Sequence, residues 1–295
     1  MFNSCTGLVT VDTSSFTNVT NAKGMFHLCT GLTAIDASPF TNVTNASYMF
    51  DSCTGLTVID TSSFTKATDA SFMFNRCTGL TAIDAPSFAN VTSASGMFYN
   101  CTSLTSIKYN KFSSQTLVSY LESNFADILT AVYETSIADY EQNVKTLDSN
   151  TVESPYSITV TDINNIVLSI SGQSNLGVAI ESAERYVDLR FSGKYESSDA
   201  HLMFYKCYHL TSVDTSIFTD ITIANSMFFY CSNLISVDTS SFTNINDART
   251  MFYACKSLTS IDTSSFTNVT DASQMFGDCT GLTAINAPSF YNVTN

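Results

Sequence analysis

The stretch MFHLCTGLTAIDASPFTNVTNASY, residues 25–48, decides the fold, because the chain repeats it. Met-Phe recurs at 1, 25, 49, 73 and 97, then at 203, 227, 251 and 275, always 24 residues apart within each set. Numbered from its Met, the unit carries Phe at position 2 in all nine copies, from Phe2 to Phe276. Position 5 is Cys in all nine, position 8 is Leu, position 11 is Val or Ile, and position 16 is Phe. These columns take all nine Cys, all nine Met and 18 of the 22 Phe, a regularity that marks a repeat architecture.

The apolar positions are 1, 2, 5, 8, 11, 16, 19 and 22. That spacing is neither strict alternation nor a sustained helical stripe. It fits one coil of a solenoid, which turns several corners and buries its apolar set only against stacked neighbours. Positions 8–12, such as Leu32 to Asp36, are rich in β-branched residues and read as one short strand per coil, paired in parallel from coil to coil. Gly at position 7 (Gly7, Gly31, Gly55, Gly79, Gly281) is expected at positive φ, since Asn233 replaces it in one copy. The small Ala at position 22 suggests close packing, and Ala-Ser-x-Met-Phe-x-x-Cys is expected to form a single helical turn.

Phe-x-x-Cys-x-x-Leu-x-x-Ile-Asp followed by Ser-x-Phe-x-x-Val resembles the BspA-like leucine-rich-repeat surface proteins, in the Met-Phe-x-x-Cys variety common in bacteria and mycoplasmas. The likeness covers residues 1–112 and about 187–295. It implies a leucine-rich-repeat-like solenoid, display at the cell surface or outside the cell, and adhesion to a protein or glycan of a host or neighbouring cell. It implies no enzyme and no cofactor.

The period fails between the two sets: Met97 and Met203 are 106 residues apart. The expected organisation is solenoid repeats over 1–112, an inserted α+β island over 113–186, and repeats over 187–295 led by a degenerate half-repeat. Leu117, Leu121, Phe125, Ile128, Leu129 and Val132 lie at helical spacing, which predicts a helix over 115–134. Residues 157–160 and 166–170 read as the strands of a hairpin turning at 162–165. The island is either a packing element joining two half-arrays or a specificity element projecting from the scaffold.

Two polar columns are the candidate partner-binding face. Position 12 carries Asp12, Asp36, Asp60, Asp84, Asp214, Asp238 and Asp262, broken by Lys108 and Asn286. Carboxylates about 5 Å apart repel by ~0.8 kcal/mol per pair in bulk water and several-fold more near a protein surface. The column must therefore be exposed and stabilise turns, hold cations, or face a ligand. Position 9 carries Thr33, Thr57, Thr81, Thr105, Thr211, Thr259 and Thr283. With the Asp column it would form a flat polar face suited to a protein or a glycan. The Cys column reads as buried free thiols, because 24-residue spacing matches no zinc pattern.

Composition narrows the partners. Charged residues are 13% of the chain and the net charge is −14, so nucleic acid is not an expected partner. No stretch approaches the roughly 20 apolar residues of a membrane helix. Met1-Phe2 already belongs to the repeat, so no export signal is expected within the chain, and it reads as a fragment or as part of a parent exported otherwise. His27, His201 and His209 have no nucleophile at a recognised spacing, and there is no phosphate loop, so an enzyme is not expected. The expected role is a non-catalytic binding and adhesion module. The alternative is a structural spacer, or a fibre or virion subunit that self-associates through uncapped solenoid ends.

Overall fold

The computed structural model describes residues 1–168, 172–286 and 290–294. The chain divides into two compact units, Met1–Tyr133 and Glu134–Asn295.

In both units the 24-residue period is written in hydrogen bonds. In the third coil the N–H groups of Ala46, Tyr48, Phe50 and Ser52 donate to the carbonyls of Asp69, Ser71, Met73 and Asn75, at 2.8, 3.0, 2.9 and 2.7 Å. Those acceptors belong to the next coil, so the segment from position 22 to position 4 forms a ladder between coils. A helical turn would have spent these donors inside the segment, and none forms here. Instead there are two consecutive tight turns, closed by Met49 N–H to Ala46 O and Cys53 N–H to Phe50 O, both at 3.0 Å. Their third residues, Tyr48 and Ser52, have φ of 58° and 61°, as a type II turn requires. The same two positions are left-handed in later coils at Phe72 and Arg76, Ser226 and Tyr230, and Thr250 and Ala254. A left-handed non-glycine residue costs roughly 1–2 kcal/mol. The cost is offset because each pair of turns aims four donors at its neighbour.

Inside the coil, Phe2, Phe26, Phe50, Phe74 and Phe98 stack face to face with ring centroids 5.4 to 5.6 Å apart. Phe204, Phe228, Phe252 and Phe276 do the same in the second unit, at 5.3 to 5.8 Å. The Phe column at position 16 forms a second, looser stack, as between Phe40 and Phe64 at 6.2 Å. Burying one such ring contributes about 1.5–3 kcal/mol, and stacking neighbours is the only way this unit buries them.

The glycines at position 7 are not at positive φ. A Cβ on Gly31, Gly55 or Gly79 would lie 2.7 Å from the carbonyl oxygen of Thr6, Thr30 or Thr54 in the preceding coil. These residues are glycine because the backbones approach too closely for a side chain. Gly7 has nothing within 4 Å of its Cβ position.

In the regular repeats the short parallel strands fall within positions 8–14 and all include position 11. In the first unit, β1 (Ala82–Asp84), β2 (Ser106–Asn110) and β3 (Leu129–Val132) make one sheet in that order. In the second unit, β4 (Glu134–Thr135), β5 (Tyr156–Val160), β6 (Val187–Phe191), β7 (Leu210–Val213) and β8 (Ser236–Val237) make a five-stranded parallel sheet. There β9 (Ser260–Asp262) pairs with β10 (Ala284–Asn286).

The segment expected as an inserted island is organised differently. The boundary between the units falls inside it, at Tyr133 and Glu134. Its strands take the places that regular coils would fill: β3 pairs with β2, and β5 pairs with β4 and β6, all in parallel. The hairpin over 157–170 is not formed among the described residues. Both edges of β5 are already taken, Ile163–Asn165 is a 3-10 turn, and 166–168 are not strand; residues 169 and 170 lie outside the described residues. The helix is shorter than expected. Helix α1 spans Gln115–Phe125, with Ser114 Oγ accepting from Leu117 N–H at its start, and Leu129–Val132 leaves it to become β3. Helices α2 (Tyr140–Val144) and α3 (Asn175–Ala183) pack on each other in the second unit. The period was invisible here because the spacing varies: Ile107 pairs with Leu129, but Tyr156 pairs with Val187.

Candidate functional site

All seven aspartates of the position-12 column are exposed. Each uses one carboxylate oxygen locally wherever the residue two places on has an N–H. Asp12, Asp36, Asp60, Asp214, Asp238 and Asp262 accept from the N–H of Ser14, Ser38, Ser62, Ser216, Ser240 and Ser264, at 2.8 to 3.0 Å. This is the aspartate turn that short polar side chains readily form. The serine N–H, then its hydroxyl, holds Asp12, Asp238 and Asp262 below the ordinary carboxylate range; at Asp36 the Ser38 hydroxyl leads.

Asp84 departs from the pattern because Pro86 offers no N–H. It pairs instead with Lys108 Nζ at 3.2 Å, and Lys108 lies opposite it in the strand register. Asn286 lies opposite Asp262, with its Nδ2 3.1 Å from Asp262 Oδ1. The two breaks in the Asp column therefore each place a donor against the last Asp of a run. Like charges stacked on adjacent coils repel, and both substitutions relieve that repulsion.

The threonines sit less uniformly. Thr33, Thr57, Thr81, Thr105, Thr259 and Thr283 are exposed, whereas Thr211 is buried and donates to Val187 O and Asp188 Oδ1. Thr81 precedes β1, whose residues alternate exposed, buried, exposed. The residue beside Asp84 on the outward side is thus Ala82 rather than Thr81. The hydroxyls of Thr81, Thr105 and Thr283 reach back to the position-9 carbonyl of the preceding coil.

In the second unit the same face dips. Asp188, Arg190, Ser212, Asp214, Ser236 and Asp238 surround a shallow depression of about 250 Å³. Arg190 is held by Ser157 Oγ at 3.0 Å. Three carboxylates and one guanidinium at one depression can recognise a hydroxyl-rich or amide-rich ligand through hydrogen bonds in both senses. Asp188 and Arg190 belong to the degenerate half-repeat, so the column count did not single them out.

Other polar columns hold the stack together, and sequence reading passed over them. Buried Thr13, Thr215, Thr239 and Thr263 each donate to the position-12 carbonyl of the following coil. Asn42, Asn90, Asn244, Asn268 and Asn292 each donate a side-chain amide to the position-17 carbonyl of the preceding coil, at 2.7 to 2.9 Å. The signal was their recurrence at fixed positions. The cysteines are free, and all but Cys5 and Cys279 are buried. Among the described residues no three His, Cys, Asp or Glu side chains gather as metal ligands, and no helix is long and apolar enough to cross a membrane.

A family profile described as the BspA-type leucine-rich-repeat region matches six copies over residues 70–175 and 200–295, more than half of the chain. A second, described as a Mycoplasma protein of unknown function, DUF285, matches residues 1–112. No curated protein and no solved structure matches the chain.

Proposed function

The chain belongs to the BspA-type leucine-rich-repeat family, and from that premise we propose that it is a surface-displayed, non-catalytic binding module. Membership points to a repeat solenoid without catalytic machinery. The proposed partner is a protein or glycan of another cell or of a host matrix, met by the outward Asp and Thr ladders. The observation that carries the reading is the exposed aspartate column. Its turn bonds use one oxygen of six of the seven carboxylates and fix the side chain's direction, which reduces the entropy lost when a partner binds. A repeated, pre-oriented row of acceptors every coil favours a partner that is itself extended and offers donors at intervals. In the second unit the depression around Asp188, Arg190, Asp214 and Asp238 offers both charge signs on that face.

The test is a screen of the chain against immobilised matrix proteins and a glycan array, beside a variant carrying Asp36→Ala, Asp60→Ala and Asp214→Ala. Ligands retained by the parent chain and lost by the variant, at unchanged secondary structure, support the reading. No ligand, or equal retention by both, removes it.

A further inference from the structure

The first unit holds an unfinished hydrogen-bond edge. In each of its inner coils, the N–H groups at positions 24, 2 and 4 are taken by the next coil. Phe72, Phe74 and Arg76 donate to Ser95 O, Met97 O and Tyr99 O at 2.9, 2.9 and 2.8 Å. One coil on, the equivalent donors are Gly96, Phe98 and Asn100, and no regular coil follows. Phe98 N–H is accepted by the Tyr120 hydroxyl of α1 at 3.1 Å. Among the described residues, the N–H groups of Gly96 and Asn100 have no acceptor.

Helix α1 closes the core side of this edge and leaves the backbone side open. The Phe stack ends where Phe125 meets Phe98 edge-on, with centroids 6.0 Å apart and planes at 85°. Between α1 and the edge lies a groove of about 680 Å³. Its walls include Phe72, Phe98, Tyr120 and Phe125, and Gly96 and Asn100 line it. Phe72 lies against Gly96 so closely that a Cβ there would meet the ring at 2.4 Å. The site thus offers two free backbone donors two ladder steps apart, on either side of the Phe98 N–H that Tyr120 holds, beside an aromatic wall.

We propose that this groove binds a peptide segment of a partner chain, completing the ladder by main-chain addition. The segment's carbonyls would accept from Gly96 and Asn100, and an apolar side chain would lie against Phe98 and Phe125. Main-chain hydrogen bonds supply affinity in such additions, and pockets for side chains supply selectivity. The sequence that fits is the repeat's own Ala-Ser-x-Met-Phe, because that is what completes every inner edge of the unit. In the second unit Ser273, Met275 and Gly277 present their carbonyls to Thr250, Phe252 and Ala254 at 2.9, 2.9 and 2.7 Å. This site is separate from the aspartate face and does not depend on it.

The test uses the full chain, labelled with ¹⁵N, and a synthetic peptide of residues 272–279 carrying Cys279→Ser, Ala-Ser-Gln-Met-Phe-Gly-Asp-Ser. The expected result is saturable shifts of the Gly96 and Asn100 amides, with hydrogen exchange at both slowed at least tenfold, and no such change with a scrambled peptide. Asn124→Trp, at an exposed position on the groove wall, should abolish both effects while leaving the melting temperature unchanged. Unmoved amides at millimolar peptide, equal shifts with the scrambled peptide, shifts confined to other coils, or undiminished binding by a folded Asn124→Trp chain would each overturn the proposal.

Discussion

The thiol of Cys77 donates a hydrogen bond to the main-chain oxygen of Phe50, 3.1 Å away in the preceding coil. The same bond recurs from Cys29 to Phe2, Cys53 to Phe26 and Cys101 to Phe74, and in the second unit from Cys231 to Phe204 and Cys255 to Phe228. The Cys column therefore does more than fill space. It adds a second, weak hydrogen bond to a carbonyl that already accepts the N–H three residues on, from a side chain small enough for the core.

Cys77→Val keeps the approximate shape and removes the donor. Phe50 O keeps the Cys53 N–H, so the change should destabilise the chain by only about 0.5–1 kcal/mol, the net worth of one weak hydrogen bond, read as a slightly lowered urea midpoint. Burial, the leading cause, pushes the Cys53 and Cys101 thiols up to about 12 and about 11, and Cys77 higher still. A thiol reagent at pH 8 should label exposed Cys5 in the folded chain and reach Cys53, Cys77 and Cys101 only on unfolding, as peptide mass mapping would show.

Gly55→Ala and Gly7→Ala separate close approach from backbone conformation. A Cβ at residue 55 would stand 2.7 Å from Thr30 O, and one at residue 7 would meet nothing. Gly55→Ala should cost about 1–3 kcal/mol, as overpacking does, whereas Gly7→Ala should be neutral or slightly stabilising. Comparison of the two thermal midpoints checks this. Equal losses at both sites would return the explanation to local conformation.

These glycines show what was legible in the sequence. Recurrence of Phe, Cys and Leu identified the repeat and its buried columns without any geometry. It also marked position 7 as special, but not why, because a positive φ and a close backbone approach both select glycine. The left-handed turns at Tyr48 and Ser52 were not legible, since their residue types are ordinary and the ladder between coils, rather than local preference, holds them there. The segment from 113 to 186 misled for a related reason. Its strands occupy regular parallel places, but the connections differ in length and carry helices, so no fixed period survives. Of the candidate face, the Asp column was legible as exposed and its turn bonds were foreseen. The depression was not, because Asp188 and Arg190 lie outside any full repeat.

Stability should respond to pH at both ends of the range. Asp12, Asp36, Asp238 and Asp262 are held below the ordinary value of 3.8. Their contribution is present above that value and lost as pH falls through the lowered one. His209 moves the opposite way: contact with the Glu181 carboxylate raises its pKa above the usual 6.5, against the opposing effect of burial. Its contribution is full below 6.5 and is lost as pH rises through the raised value. Urea unfolding of His209→Gln should lack the decline that the parent chain shows above pH 6.5.

Thr239→Val tests the column that sequence reading passed over. The Thr239 hydroxyl donates to Asp262 O from a site that is 4% exposed. Valine keeps the shape and leaves that oxygen unpaired, so a loss of about 1–3 kcal/mol is expected from denaturant unfolding. The outward Asp238→Asn change, which keeps an oxygen acceptor for Ser240 N–H, should leave the same midpoint within about 0.5 kcal/mol, as surface substitutions usually do.

The most direct measurement of the central claim is the binding screen of the parent chain beside the chain carrying Asp36→Ala, Asp60→Ala and Asp214→Ala, on immobilised matrix proteins and a glycan array. The account predicts at least one ligand held by the parent chain and weakened tenfold or more in the variant, with both chains giving the same circular dichroism spectrum. Ligands held equally by both chains, or none held by either, would contradict it.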